Sequence, residues 1–145
     1  MAHTVNEIMT KNVVSVSSQQ TIREAAQLMK EHNIGAIPVI DKGRLKGIVT
    51  DRDITVRSTA NSMDANTPVS ECMSTDVTVV EANMAVQEAA SLMAAHQVRR
   101  LPVVENNRVV GMIALGDLAE QEIYQKEAGE ALSSISTPAQ PEQLS

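Results

Sequence analysis

Phenylalanine and tryptophan are missing from this 145-residue chain, and Tyr124 is its one aromatic residue. Without aromatic faces there is no platform on which unpaired bases stack, and a formal net charge of -6 argues against bulk attraction to nucleic acid or to an anionic membrane surface. An anionic ligand must therefore meet a local basic patch. Cys72 is the sole cysteine, which excludes an internal disulfide and a thiolate cluster for a structural metal and suits a reducing compartment. The chain has no apolar run of about 18 residues, and its start, MAHTVNEIMTKNVV, has neither the basic opening nor the apolar stretch of a secretory signal. These absences predict a soluble cytoplasmic protein with no membrane and no nucleic-acid partner.

What remains is aliphatic: 43% of the residues are hydrophobic, drawn from Val, Ile, Leu, Ala and eight Met. The chain also repeats itself. At an offset of 64, IMT (8–10) falls on CMS (72–74), EAAQLM (24–29) on EAASLM (88–93) and IPVI (37–40) on LPVV (101–104), with no gap. Fourteen of the 47 positions from Ile8 to Ile54 are identical to their partners. Two copies at so long a period predict a paired domain, not a solenoid.

Each copy reads β-α-β-β-α, an α+β fold. The first copy has a short strand (Val13–Val16), a helix (Thr21–His32), two strands (Ile34–Ile40 and Arg44–Val49) and a second helix. Ile22, Ala25, Ala26 and Met29 share one helix face, repeated by Val86, Ala89, Ala90 and Met93. Thr21 and Glu24 form a capping-box pattern. Asp41-Lys42-Gly43 and Asn106-Asn107 suit hairpin turns, and Pro38 and Pro102 place their strands at a sheet edge or interrupt them. About 50 aliphatic residues bury too little surface to stand alone, so the copies are expected to pack as a pseudo-twofold pair. The expected organisation is repeat 1 over 4–60, a polar linker over 61–70, repeat 2 over 71–128 and a flexible tail over 129–145, with the last helix extending over 119–132.

The two copies differ at one informative place. GIVTDRDI (47–54) carries Thr50-x-x-Asp53, whereas GMIALGDL (111–118) keeps the acid, Asp117, and has Ala114 in place of the threonine. One reading is a helix start, in which the Thr hydroxyl and the acid cap each other's backbone N–H groups. The other is a binding site, in which the acid accepts a ribose cis-diol while the helix start and hydroxyl receive a phosphate. The two are compatible, and retention of Asp117 without a capping threonine fits the second better.

The repeated ending Gly-hydrophobic-x-Thr-x-x-Asp, preceded by a hydrophobic-Pro-Val-hydrophobic strand, resembles the cystathionine-beta-synthase (CBS) domain, and two in tandem resemble a Bateman module. The resemblance runs from about Thr4 to Glu122 and is nearest to stand-alone bacterial two-CBS proteins, including those of stress or hypoxic responses. It implies two clefts between the repeats that hold adenine nucleotides or other adenosyl compounds. One would combine Thr50, Arg52 and Asp53 with Thr78, Val80, Val98, Arg99, Arg100 and Pro102. The other would combine Asp117 with Val14, Val16, Ile34, Ala36 and Pro38. Arg52, Arg99 and Arg100, with Arg57 nearby, give the first cleft its phosphate partners, while Gly35, Ala36 and Ala114 leave the second without them. The expected ranking is a strong Thr50 cleft and a weak or empty Asp117 cleft. Read without the resemblance, Arg99 and Arg100 are equally well a solvated basic pair, and alternation along a strand keeps both from facing one pocket.

His32 and His96 sit at equivalent helix ends, where an imidazole meets terminal carbonyls, and no spacing gathers them with His3 and Cys72 into a zinc site. Met29 and Met93 belong to packed helix faces, and Met9 and Met73 open equivalent segments. Ile54, Val56, Leu118 and Ile123 are candidates for the homodimer surface that the resemblance implies. No phosphate-binding Gly-rich Lys loop, serine elbow or acid/base constellation points to catalysis. The expected function is a regulatory, non-enzymatic module with no required cofactor, binding AMP, ADP, ATP or S-adenosylmethionine. The alternative is a ligand-free dimeric interaction protein that regulates a separate protein target.

Overall fold

The structure, a computed structural model, describes residues 3–119 and 125–136. In chain order its elements are α1 (Val5–Ile8), α2 (Ile22–His32), β1 (Ala36–Asp41), β2 (Arg44–Thr50) and α3 (Asp51–Asp53), which runs into a π-helix at Ile54–Thr59. A 3-10 turn (Val69–Glu71) precedes β3 (Val80–Glu81), α4 (Val86–His96), β4 (Arg100–Glu105), β5 (Arg108–Ala114), α5 (Leu115–Ala119) and α6 (Gln125–Ser136). Mixed helix and sheet in two copies is the α+β architecture expected.

Local chemistry sets each element. Thr21 caps α2 by accepting the Glu24 N–H at 3.1 Å, but Glu24 does not return the bond: its carboxylate takes the Gln20 amide at 2.7 Å, so the box is half formed. Ile22, Ala25 and Met29 turn into the core, and Asn33 ends the helix in the left-handed region at φ 53°. α4 has Ala85 at its N-cap and no capping side chain; burial of Val86, Ala89, Ala90 and Met93 holds it instead. His32 and His96 lie in the last turns of α2 and α4, as read from the sequence.

β1 and β2 pair antiparallel from Ala36↔Thr50 to Asp41↔Arg44, joined by Lys42 and Gly43 at φ 53° and 80°. Two positive φ values in succession make the turn type I′, and Asn106 and Asn107 build its counterpart in repeat 2. Pro38 lies inside β1 without breaking the β1–β2 ladder. Its carbonyl accepts from Val16 N–H at 3.2 Å, so its own N faces the Val16 side, where only one bridge forms. The expected strand Val13–Val16 is reduced to that bridge, and repeat 2 has a strand of two residues, β3, in its place. Ser18 donates its backbone N–H (2.9 Å) and hydroxyl (2.6 Å) to Asp41, which holds that carboxyl below the ordinary carboxylate range.

Among the described residues the chain divides into two compact units that do not follow the repeats. One takes 3–11, 80–103 and the chain from 111 onward; the other takes 12–79 and 104–110. Within each unit, the short segment that opens one repeat lies on the hairpin of the other. Thr10 bridges Met112 (2.8 and 2.9 Å), and Ser74 bridges Ile48 (both bonds 2.8 Å). Glycine makes this approach feasible: a Cβ on Gly47 would stand 2.6 Å from the Ser74 carbonyl and 3.0 Å from Met73 Sδ. A Cβ on Gly111 would stand 2.6 Å from Met9 Sδ and 2.8 Å from the Thr10 carbonyl. Met9 and Met73 are thus packed against equivalent glycines.

Two expectations about the connecting segments need correction. Residues 61–70 do not form a free linker, because Ile22 N–H bonds the Thr67 carbonyl, Val69 N–H bonds the Gln20 carbonyl, and Val69 is fully buried. Nor is 129–136 a flexible tail: α6 continues to Ser136, packs on α4 and α5, and buries Ala128 and Ala131. The serines that suggested a frayed end serve this packing, with Ser134 Oγ donating to the Ala94 carbonyl at 3.2 Å. Residues 137–145 lie outside the described residues. So does Ile123 of the expected dimer surface; Leu118 is fully buried, Ile54 half-buried, and Val56 exposed. Among the described residues no helix is long and apolar enough to cross a membrane.

Gly47→Ala and Gly111→Ala are each expected to destabilise the fold by about 1–3 kcal/mol in urea unfolding, since the new methyl meets backbone and sulfur. Gly116→Ala, in open space within α5, is expected to be neutral or stabilising by up to about 1 kcal/mol.

Candidate functional site

The Thr50–Asp53 corner is built by the end of β2. Thr50 holds extended backbone (φ -114°, ψ 163°), and its Oγ1 accepts the Asp53 N–H at 2.9 Å. Asp53 Oδ2 accepts the Thr50 N–H at 3.0 Å, completing a reciprocal capping box. Asp53 is 8% exposed, and its carboxylate has further partners. Ser74 Oγ donates to Oδ1 at 3.3 Å, and Arg57 Nε stands 3.8 Å from Oδ1 while its Nη1 donates to the Met73 carbonyl at 3.2 Å. Each carboxylate oxygen carries two lone pairs, so these contacts leave Asp53 some acceptor capacity. Burial pushes the neighbouring Cys72 thiol up, with the Asp53 charge adding to the effect and Arg57 opposing it.

The corner of repeat 2 explains why its acid survives. Asp117 Oδ2 accepts the Ala114 N–H at 2.8 Å, the half of the box that needs no threonine. Asp117 thus has a backbone-capping role at the start of its helix.

A second clip fixes each corner to the residue before its proline strand. Asp51 N–H bonds the Gly35 carbonyl at 2.9 Å, and Leu115 N–H bonds the Arg99 carbonyl at 2.8 Å. The copies differ in side chains at this clip. A Cβ on Gly35 would lie 3.0 Å from Asp51 Oδ2, so the glycine leaves room for that acid, whereas repeat 2 pairs Arg99 with Leu115. Asp51, Gly35 and Ser74 were not singled out by the sequence reading as partners in this corner. The paired change of Gly35/Asp51 to Arg99/Leu115, and the hydroxyl shared by Thr10 and Ser74 in the IMT and CMS segments, were the available signals.

The other expected site residues fall as follows. Arg52 is exposed, and its backbone N–H, not its guanidinium, is engaged, by Asp51 Oδ1 at 2.8 Å. Arg99 and Arg100 are exposed and form no ion pair among the described residues. Thr78, Val98, Val14, Ile34 and Ala36 are half-buried, while Val80, Val16, Pro38 and Pro102 are buried. Arg57, a side neighbour in the sequence reading, is the cation that touches Asp53.

The profile of the CBS domain matches residues 5–58 and again 69–123. The chain belongs to the CBS-domain family. Among curated relatives, CBS domain-containing protein YhcV of Bacillus subtilis is 54% identical over 132 residues, covering 91% of this chain and 94% of that protein. The crystal structure of Hypoxic Response Protein I with two coordinated zinc ions superimposes with a TM-score of 0.76 at 40% identity, covering 82% of this chain and 98% of the other. Two CBS structures carry adenosyl ligands. The CBS pair of protein MJ0100, in complex with 5′-methylthioadenosine and S-adenosyl-L-methionine, gives a TM-score of 0.72 at 29% identity, covering 83% of this chain and 95% of the other. The CBS domain protein PAE2072 from Pyrobaculum aerophilum, complexed with AMP, gives 0.76 at 25% identity, covering 88% and 98%. Both CBS repeats of this chain thus keep the acid-capped corner, and only repeat 1 keeps its threonine.

Replacing Thr50 by Ala is expected to cost about 1 kcal/mol of stability, measured by denaturant unfolding, with Thr50→Ser recovering most of it.

Proposed function

We infer that this CBS pair is a regulatory, non-catalytic module that binds an adenosyl ligand, with AMP, ADP, ATP and S-adenosylmethionine as candidates. The observation that carries this reading is the pair of CBS structures holding AMP or S-adenosylmethionine and related adenosyl compounds over nearly their whole length. The proposed site uses Thr50 and Asp53 for phosphate and ribose, lined by Thr78, Val80, Val98 and Pro102, with Arg52, Arg99 and Arg100 as its cations. Arg99 and Arg100 form no ion pair among the described residues, which supports that role, because such guanidiniums are available to a phosphate. The counterpart with Asp117, Val14, Val16, Ile34, Ala36 and Pro38 is proposed as the weaker site, lacking both the hydroxyl and the arginines. A ligand that contacts two repeats favours one arrangement of them, which is what makes such a module a sensor.

A cytoplasmic setting, a role in stress response and self-association belong to the same proposal, the dimer surface narrowing to the exposed Val56. A second reading, an interaction protein acting on a separate protein target without ligand, is favoured by one observation: Asp117 is explained by the Ala114 N–H it accepts and needs no ligand.

Thermal unfolding with each candidate ligand separates the readings. A ligand at one hundred times its Kd is expected to stabilise the fold by about 2.7 kcal/mol. Calorimetry is expected to show a larger loss of affinity in Arg99→Ala with Arg100→Ala than in Asp117→Ala. No stabilisation by any of the four ligands would leave the interaction reading, and a larger loss in Asp117→Ala would reverse the ranking of the sites.

A further inference from the structure

Asp53 is almost wholly buried, so a ligand that bonds both its carboxylate oxygens meets the groups that already cover them. These groups are of two kinds. The Thr50 N–H donates to Oδ2 at 3.0 Å and belongs to the reciprocal cap, so removing it would undo the helix start. Ser74 is held less tightly. Its Oγ stands 3.3 Å from Oδ1 and 3.5 Å from Oδ2, with one hydroxyl proton shared between the two oxygens. Arg57 Nε, 3.8 Å from Oδ1, is beyond hydrogen-bond length.

An oxygen that faces both carboxylate oxygens stands where a vicinal diol would come to give each of them a hydrogen bond. The Ser74 hydroxyl can also leave at little cost to the fold. Its backbone N–H and carbonyl are both engaged by Ile48 at 2.8 Å, so a turn about the Cα–Cβ bond carries the hydroxyl away from Asp53 and keeps the bridge between the repeats. The opening segment of repeat 2 still registers the change. Arg57 approaches the same Oδ1 as Ser74 and donates from Nη1 to the Met73 carbonyl at 3.2 Å, while Met73 Sδ lies 3.0 Å from where a Cβ on Gly47 would stand.

We propose that Ser74 is an internal competitor for the Asp53 carboxylate: its hydroxyl occupies the acid in the empty protein, and the cis-diol of a ribose displaces it. Ser74 thereby sets the affinity of this corner for vicinal diols, although it comes from the opposite repeat. This role rests on the reading of Asp53 as the ribose acceptor. On binding, one hydrogen bond to a charged group is exchanged for others, so part of the ligand's gain is offset, and removing the competitor restores it.

Calorimetry on the full chain with AMP and with 2′,3′-dideoxy-AMP tests this role. Ser74→Ala is expected to tighten AMP about tenfold and to leave the dideoxy nucleotide within about twofold. A general loosening of the fold would move both ligands together. Ser74→Thr is expected to bind AMP as the native chain does, because Thr10 makes the equivalent backbone bridge in the other repeat. Without ligand, Ser74→Ala is expected to move the carboxyl carbon resonance of Asp53. AMP affinity that is unchanged or weaker in Ser74→Ala, equal tightening of both nucleotides, a gain that persists in the Asp53→Asn background, or an Asp53 resonance indifferent to the lost hydroxyl would each overturn the competitor and leave the adenosyl reading standing. AMP binding by neither the native chain nor Ser74→Ala would overturn both.

Discussion

The close approach of each repeat's opening segment to the other repeat's hairpin is the constraint on which the rest of the structure depends. Thr10 and Ser74 each exchange two backbone hydrogen bonds with a strand of the opposite repeat, at Met112 and Ile48. Glycine stands next to both junctions, at 111 and 47, because a side chain there would occupy the space of a methionine and a carbonyl. The exchange also brings Ser74 and the Met73 carbonyl to the Thr50–Asp53 corner, where Ser74 bonds Asp53 and Arg57 reaches Met73. Residues far apart in sequence thereby set the geometry of a helix start.

That corner shows how one side chain serves structure and leaves room for function. Asp53 closes a capping box and touches a serine and an arginine, all of which hold its carboxylate in one orientation. On the proposed function, a fixed acceptor would lose little conformational freedom on meeting a ligand hydroxyl, which is the value of preorganisation. Repeat 2 retains the structural half of this arrangement at Asp117 and has Ala114 where repeat 1 has the Thr50 hydroxyl. The asymmetry is therefore chemical as well as positional: the same backbone clip serves Gly35 with Asp51 in one copy and Arg99 with Leu115 in the other.

Much of this was legible in the sequence. The offset of 64, the helix face at Val86 and the turns at Lys42-Gly43 and Asn106-Asn107 are short-range patterns that appear as read, while the face at Ile22 keeps Ala25 and Met29 and leaves Ala26 exposed. Thr50 and Asp53 were recognisable as a reciprocal cap for the same reason. What the sequence concealed depends on distant packing. Val13–Val16 has the β-branched composition of a strand but finds a partner only at Val16. The polar stretch before Val69 reads as linker, yet its carbonyls bind the N-terminal turn of α2, a use invisible to composition. The serines of α6 read as a frayed tail, whereas burial of Ala128 and Ala131 against α4 stabilises the helix in a way that propensity does not report. Leu118 looked suited to a surface contact because 119–132 was read as an extension of its own helix, whereas α6 packs on α4 and α5 and Leu118 is fully buried.

Mutual completion of the two repeats is tested most directly by separating them. Fragments 1–68 and 69–145, prepared apart and then mixed, can be followed by amide hydrogen exchange at the β1–β2 and β4–β5 hairpins. The account predicts unprotected hairpin amides in each fragment alone and protection restored on mixing. Slow exchange in the isolated first fragment, with cooperative unfolding of its own, would contradict it.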